Sequence, residues 1–319
     1  MMQSPTFTDV LQARRNIKQY LPRTPLAHYP ALDELIGARV LVKHENHLPT
    51  GAFKVRGGVN LVSQLSPAVR ARGVIAASTG NHGQSVAYAA QLFDVAATIV
   101  VPEGANVLKV DAMRNYGAEV VFHGKDFDDA RVYCEMLAIE KNVRYVHSAN
   151  EPLLIAGVGT IALEILEDAP EVGTIFVPVG GGSGAAGACL VAKTINPQVR
   201  VIGVQAERAP AAYKSWRANK LLEDIMETEA EGLATRVAFE LPQRILWELL
   251  DDFVLVSEDE IRRAVVLYIE KAHTLVEGAG AASLAAALKL RGHVPQQPLA
   301  LVLSGGNITI EQLRKALVK

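Results

Sequence analysis

Thr50-Gly51-Ala52-Phe53-Lys54-Val55-Arg56-Gly57-Gly58 places one lysine beside an aromatic ring, with glycines on both sides, downstream of the strand-like run 39–45. A lysine is ordinarily an exposed, hydrated point charge. Held in an apolar pocket its pKa falls, and the free amine becomes a nucleophile or a base. Flanking glycines let the backbone come close to a planar ligand. The competing explanation is a surface lysine at a helix start, since lysines are almost never buried unless paired. Three further glycine-rich segments weigh against it.

Outward from this stretch, strand-like runs recur at 39–45, 73–78, 95–101, 118–122, 143–147, 174–179, 200–205, 253–256 and 299–303. Between many of them lie helical patterns, at 81–93, 106–116, 126–141, 152–167 and 259–272. Such alternation with short connections indicates an α/β fold of open, parallel-type sheets with helices on both faces. A composition that is half hydrophobic but only 6% aromatic agrees with that. A chain of 319 residues suits two domains or one large α/β unit. No sharp linker or internal repeat is present, so the boundaries fall near residues 50 and 150. Residues 1–50 with 151–319 then form a large unit, and 51–150 a small one. The segment 207–240 breaks the rhythm, being polar and helix-prone without an obvious strand. Such a stretch inside a compact domain often carries function or covers a site.

The charge pattern excludes whole classes of partner. Against 34 acidic residues there are 32 basic ones, a formal charge of −2. No basic stripe offers a nucleic-acid surface, and no polybasic segment a membrane surface. Cys134 and Cys189 are far apart and form neither a metal-type pair nor a disulfide framework, which points to a reducing compartment. The first ten residues lack the pattern of a signal peptide, and the apolar stretch 278–288 is too short to span a bilayer. The expectation is a soluble cytoplasmic protein acting on a small molecule.

Ser78-Thr79-Gly80-Asn81-His82-Gly83-Gln84-Ser85 follows a strand and opens a helix, a turn whose free N–H groups and positive helix end suit an anion such as a carboxylate. Simple helix capping explains the hydroxyls but not the neighbouring Gly80, Asn81 and His82. Val179-Gly180-Gly181-Gly182-Ser183-Gly184 also joins a strand to a helix, and its small residues allow a nest of N–H groups around a phosphate. Gly182, Gly184 and Gly187 satisfy a dinucleotide fingerprint as well, with Glu207 as its ribose acid, so a dehydrogenase is the rival reading. That fingerprint belongs to the first strand of its unit, however, and here it starts halfway along the chain. Leu303-Ser304-Gly305-Gly306-Asn307 closes a short apolar strand and places Ser304 where a strand end meets a ligand crevice. A lysine, a phosphate nest, an anion turn and a terminal serine together suit pyridoxal phosphate, whose aldehyde, phosphate and ring nitrogen each need one of them.

The ordered set TGAFKVRGG, STGNHGQS, VPVGGGSG and LSGGN resembles the fold-type II pyridoxal-phosphate enzymes, in the threonine dehydratase and serine racemase branch. The resemblance runs from Arg23-Thr24-Pro25-Leu26 to Asn307. It implies a tryptophan synthase β-subunit-like architecture with the cofactor in the cleft between the domains, the large one carrying most of the cofactor site. By similarity Lys54 carries the cofactor as a Schiff base and Phe53 packs on its ring. Asn81 bonds the ring hydroxyl, and Gly180, Gly181, Gly182, Ser183 and Gly184 cradle the phosphate. Ser304 meets the pyridine nitrogen, while Ser78, Thr79 and His82 belong to the loop that receives the substrate carboxylate. Glu277 matches an acidic residue near the pocket. The implied reaction is β-elimination of a 3-hydroxy amino acid such as threonine or serine, giving a 2-oxo acid and ammonia. The alternatives are an amino-acid racemase and a non-catalytic nucleotide- or pyridoxal-phosphate-binding protein. The segments SANEPLLIAGVGT and EGLATR look most like homologues linked to hydroxyectoine utilisation, and the family expectation is a homodimer.

Departures from the family pattern are informative. Thr79 stands where racemases carry a catalytic serine, which disfavours racemisation. Gln205 and Ala211 stand where metal-binding relatives present a glutamate and an aspartate, so no divalent-cation site is expected. Ser148 and Ala149 follow His147 in place of larger residues, enlarging the pocket. Ser183 replaces the fourth glycine of the phosphate loop, its hydroxyl adding a donor. Little chain follows Asn307, so a regulatory domain is not expected.

Overall fold

A computed structural model describes residues 3–293 and 297–318. Among these residues ten strands form two sheets: β1 (Leu26–His28), β2 (Val40–His44), β3 (Val74–Ala77), β4 (Ala97–Val101), β5 (Glu119–Phe122), β6 (Arg144–Tyr145), β7 (Thr174–Pro178), β8 (Arg200–Ala206), β9 (Asp252–Val256) and β10 (Leu299–Leu303). The larger sheet has the order β1-β2-β10-β7-β8-β9 and the smaller β5-β4-β3-β6. Every pairing is parallel except that of β1 with β2. The sequence pattern misses β1 because three residues next to Pro25 carry no readable period.

The helices are α1 (Phe7–Ile17), α2 (Pro30–Ile36), α3 (Lys54–Ser63), α4 (Pro67–Arg72), α5 (Asn81–Leu92), α6 (Val107–Asn115), α7 (Phe127–Glu140), α8 (Pro152–Asp168), α9 (Ser183–Ile195), α10 (Ala211–Ala218), α11 (Glu240–Leu249), α12 (Glu258–Ala272), α13 (Gly278–Lys289) and α14 (Ile310–Leu317). Each sheet is covered on both faces. Val10, Ile155, Ala185 and Ile245 bury one side of the larger sheet, and Leu32, Ile261 and Leu284 the other. Val59, Val86 and Met113 cover one side of the smaller sheet, and Ala130, Cys134 and Leu137 the other. The parallel fold expected from strand–helix alternation is therefore the fold observed.

Two helices tie the sheets together. In α8 every residue from Leu154 to Leu166 is buried, as befits a helix that is apolar all round. It packs on α1, α3 and α9, while α3 also packs on α5. Close approach of α8 and α9 requires glycine: a Cβ on Gly187 would lie 2.8 Å from Gly159 Cα.

Two expected strands are shorter for local reasons. The run 95–101 starts at Ala97 because Asp94 closes α5 with φ +54°. The run 143–147 stops at Tyr145 because His147 Nδ1 accepts the amide N–H groups of Ala149 and Asn150, turning the chain. Segment 207–240 forms α10 and then an irregular stretch, held by a 3-10 turn at Glu231–Leu233 and a bridge between Glu223 and Val237.

Candidate active site

Three parallel strands end at one cavity of about 340 Å³. The chain leaves β3 into Ser78, β7 into Gly180 and β10 into Ser304, and all three line it. That is where α/β folds place ligands. Lys54 enters from the side as the first residue of α3, with partial exposure onto the cavity. It does stand at a helix start, but that start is fixed to the interior: Phe53 donates its N–H to Ser304 O at 3.0 Å, and Gly306 to Gly51 O at 2.9 Å. Ala52 and Gly305 form a bridge, and Asn307 Nδ2 donates to Thr50 O at 2.9 Å. Gly51 has φ +67°, and a Cβ there would lie 2.5 Å from Asn307 Oδ1. The lysine and serine motifs are thus two halves of one structure.

Burial pushes the Lys54 amine down to about 8. Its Nζ donates to Ser148 O at 3.2 Å and to Ser183 Oγ at 3.3 Å. Among the described residues no carboxylate reaches it, so no countercharge offsets the desolvation of the ammonium form.

The loop of Gly180, Gly181, Gly182, Ser183 and Gly184 has no space for most side chains. A Cβ on Gly180 would lie 2.1 Å from Gly232 O, and one on Gly181 3.0 Å from Ala149 Cβ. Gly182 adopts φ +88° and precedes α9. Among the described residues, the N–H groups of Gly180, Gly181 and Gly182 find no backbone acceptor in any turn or loop. The Ser304 hydroxyl likewise has no partner there, although the residue is only 5% exposed. A glycine cradle with open donors, an amine without a carboxylate partner and an unpaired hydroxyl around one cavity fit pyridoxal phosphate.

Ser78 Oγ accepts from Gly80 N at 3.2 Å and shapes the turn, while Thr79 opens onto the cavity. His82 is buried; its Nε2 bonds Val146 O at 3.1 Å and its Nδ1 has no partner. Burial, then the nearby Lys54 charge, push its pKa down to about 3. The neutral ring therefore presents an acceptor, and only the His82 backbone N–H suits a carboxylate. Asn81 Nδ2 donates to Glu277 Oε1 at 2.7 Å, and its Oδ1 accepts from Asn307 Nδ2 at 2.8 Å. Burial pushes the Glu277 carboxyl up, opposed by Lys109 and Asn81. The Phe53 ring lies beside the glycine loop, 3.4 Å from where a Gly184 Cβ would be.

Several lining residues lie outside the four glycine-rich motifs: Lys109 and Phe127 from the smaller sheet's helices, and Met226, Glu231, Thr235 and Phe239 from the irregular segment. Glu231 and Thr235 fall in the segment EGLATR, while only the broken rhythm of 207–240 pointed toward Met226 and Phe239.

The dinucleotide reading fails on placement. Glu207 pairs at 3.1 Å with Lys289 and is not among the cavity's residues, and Gly187 serves helix packing. Gln205 is buried with its Oε1 accepting Tyr213 N–H at 3.0 Å, and Ala211 opens α10.

Fold and cavity together define a cofactor enzyme in which a lysine and a glycine cradle face one another at the ends of parallel strands. The chain belongs to the pyridoxal-phosphate dependent enzyme family, whose sequence model matches residues 17–305. It is 40% identical over 315 residues to an L-threonine ammonia-lyase of Thermotoga maritima, covering 98% of this chain and 78% of that one. The structure is similar to that of the T.th. threonine deaminase, with TM-score 0.91, 38% identity and coverage of 96% and 99%. It is also similar to the serine racemase of Dictyostelium discoideum, with TM-score 0.91, 32% identity and coverage of 97% and 100%. Among the described residues no helix is long and apolar enough to cross a membrane.

Proposed function

We infer that this chain is a pyridoxal-phosphate-dependent ammonia-lyase that converts a 3-hydroxy amino acid, such as L-threonine or L-serine, to a 2-oxo acid and ammonia. The observation that carries it is the Lys54 amine, hydrogen-bonded but without a carboxylate partner, facing the same cavity as the glycine cradle and the Ser304 hydroxyl. The relatives named ammonia-lyase and deaminase support the same reaction.

When bound, pyridoxal phosphate supplies an aldehyde for the substrate amine and an electron-withdrawing ring that acidifies the Cα–H bond. Lys54 would hold its aldehyde end, Phe53 its ring, Asn81 the ring hydroxyl and residues 180–184 the phosphate, with Ser304 at the ring nitrogen. The turn from Ser78 to His82 orients the substrate carboxylate with its N–H groups. Lys54 Nζ, whose pKa burial lowers to about 8, takes the Cα proton. The β-hydroxyl is lost as water, and a later hydrolysis returns one water and releases ammonia. Ser304 offers a neutral hydroxyl where a carboxylate would favour a protonated ring nitrogen, which directs the site toward elimination. Thr79 Oγ1 opposite Lys54 is the second catalytic group, and its methyl restricts the hydroxyl that racemisation would use.

The finer reading is a cytoplasmic homodimer of a hydroxyectoine-utilisation subgroup, built of residues 1–50 with 151–319 and a small domain 51–150. Its two signature segments support it by position, since Ser148 and Glu231 both line the cavity. Ammonia and 2-oxo acid release should be assayed across threonine, serine and 3-hydroxyaspartate stereoisomers, with chiral analysis of recovered substrate. Release of a 2-oxo acid from at least one is expected; inverted substrate without ammonia would make the chain a racemase, and neither would make it a binder.

A further inference from the structure

Ser183 breaks the glycine pattern of its loop, and its hydroxyl is turned toward the lysine. It is 2% exposed at the start of α9, with Oγ 3.3 Å from Lys54 Nζ. A loop that served only to offer N–H groups to an anion would need no side chain there. On the other side of the amine, Ser148 O lies at 3.2 Å. That carbonyl sits in the turn held by His147 Nδ1, which accepts two N–H groups.

We propose that Ser183 is a positioning residue for Lys54: its hydroxyl and the Ser148 carbonyl form the dock where the amine rests whenever it is free, and Ser183 Oγ accepts from the ammonium formed when Lys54 takes the substrate's Cα proton. This rests on the assignment of Lys54 as the base. A carbonyl only accepts, so it favours the ammonium alone. A hydroxyl accepts from an ammonium and donates to a neutral amine, so it serves Lys54 in both protonation states. The balance is simple. The Cα–H bond breaks, its electron pair stays with the substrate, a new N–H bond forms on Nζ, and that ammonium donates to Oγ.

Among the described residues, Ser148 O and Ser183 Oγ are the hydrogen-bond partners found at Lys54 Nζ. His82 from α5 and His147 from the turn face it as neutral rings, both pKa values being lowered chiefly by burial. The Phe53 ring centroid is 5.4 Å from Nζ. The charged groups of the cavity are engaged elsewhere, Lys109 with Glu231 and Glu277 with Asn81.

The test compares holoenzyme variants Ser183→Ala and Ser183→Gly with the parent. Four quantities are read: the pH profile of kcat, the isotope effect with Cα-deuterated substrate, KM, and the cofactor dissociation constant. Losing an acceptor disfavours the ammonium, so Lys54 stays neutral to lower pH and is a weaker base. The acid limb of kcat should move down by about half a pH unit to one unit, and kcat should fall about tenfold with a larger isotope effect. KM should stay within about threefold. Weaker cofactor binding with limb and isotope effect unmoved would overturn the proposal, leaving Ser183 a phosphate donor only; so would four unchanged quantities. Glycine repeats the residue on either side, so folding of that variant is not in question. Turnover retained by Lys54→Ala would instead overturn the base assignment itself.

Discussion

Lys54 and Arg56 lie two residues apart near the start of α3, both withdrawn from bulk water, and they have opposite surroundings. Arg56 is fully buried between two carboxylates: Nε and Nη2 donate to Glu45 at 2.7 and 2.8 Å, and Nη1 and Nη2 to Glu164 at 2.7 and 2.9 Å. Lys43 adds a second buried cation on Glu164 at 2.6 Å, and Thr24 and Thr160 complete the network. Burial works against the Arg56 charge, but Glu45 and Glu164 outweigh it and raise its pKa. Lys54 meets one carbonyl and one hydroxyl, and its pKa falls. A paired cation is inert and anchors the helix; the unpaired one beside it is free to react.

The sharpest way to break this contrast is to remove each cation in turn. Lys54→Met should lower kcat by about 10⁴-fold or more, since base and cofactor attachment go together. The cofactor-free protein should not lose stability in urea unfolding, because an uncompensated amine is replaced by an apolar chain. Arg56→Met should cost about 3–5 kcal/mol in the same unfolding experiment, because it leaves two buried carboxylates short of partners. Equal stability losses would erase the distinction.

Space is as sharply divided as charge. Gly180→Ala would drive a methyl against the Gly232 carbonyl, displacing either the cradle or the segment above it. Cofactor affinity, measured by titration of the visible band, should fall about 10- to 100-fold. On the anchored side the response is to pH. Burial tends to raise the Glu164 carboxyl, and Arg56 with Lys43 outweighs it, so its folded pKa lies below the ordinary value. Its contribution to stability is then present above the ordinary carboxylate range and is lost as pH falls through the lowered value. Glu164→Gln should lower stability at neutral pH by about 3 kcal/mol and flatten the loss on acidification. An unchanged acid limb of the urea midpoint would show that Glu164 is not set by this network.

The reactive half of the contrast was legible in the chain because each of its parts is a local signal. Lys54, Gly180 and Ser304 each sit in a short glycine-rich turn at an element boundary, and an α/β fold brings such turns to one end of its sheets. The anchoring half was not legible. Lys43 looks like any strand residue and Arg56 like any helical one. Their shared partner, Glu164, is 121 residues from Lys43 and 108 from Arg56 in a helix of otherwise apolar character. Only tertiary packing brings them together. Asn81 illustrates a middle case: its motif marked it as a site residue, but nothing local revealed that Glu277 and Asn307 occupy its amide.

One more ion pair sharpens the comparison by lying between the extremes. Lys109 of α6 pairs with Glu231 in the 3-10 turn of the irregular segment, and both residues line the cavity. The Lys109 side chain is 9% exposed, but that of Glu231 is 42%, and Gln312 of α14 also donates to Glu231 Oε1 at 3.0 Å. Water screens a half-exposed carboxylate and solvates it when its partner leaves. Lys109→Met should therefore cost no more than about 1 kcal/mol, a change in KM of about fivefold at most, with kcat preserved and the effect shrinking as salt rises. If the variant instead lost stability on the scale expected of Arg56→Met, burial would not be what separates anchoring pairs from rim pairs in this protein. If it lost kcat rather than KM, the pair would belong to the chemistry of Lys54 rather than to the closing of the cavity.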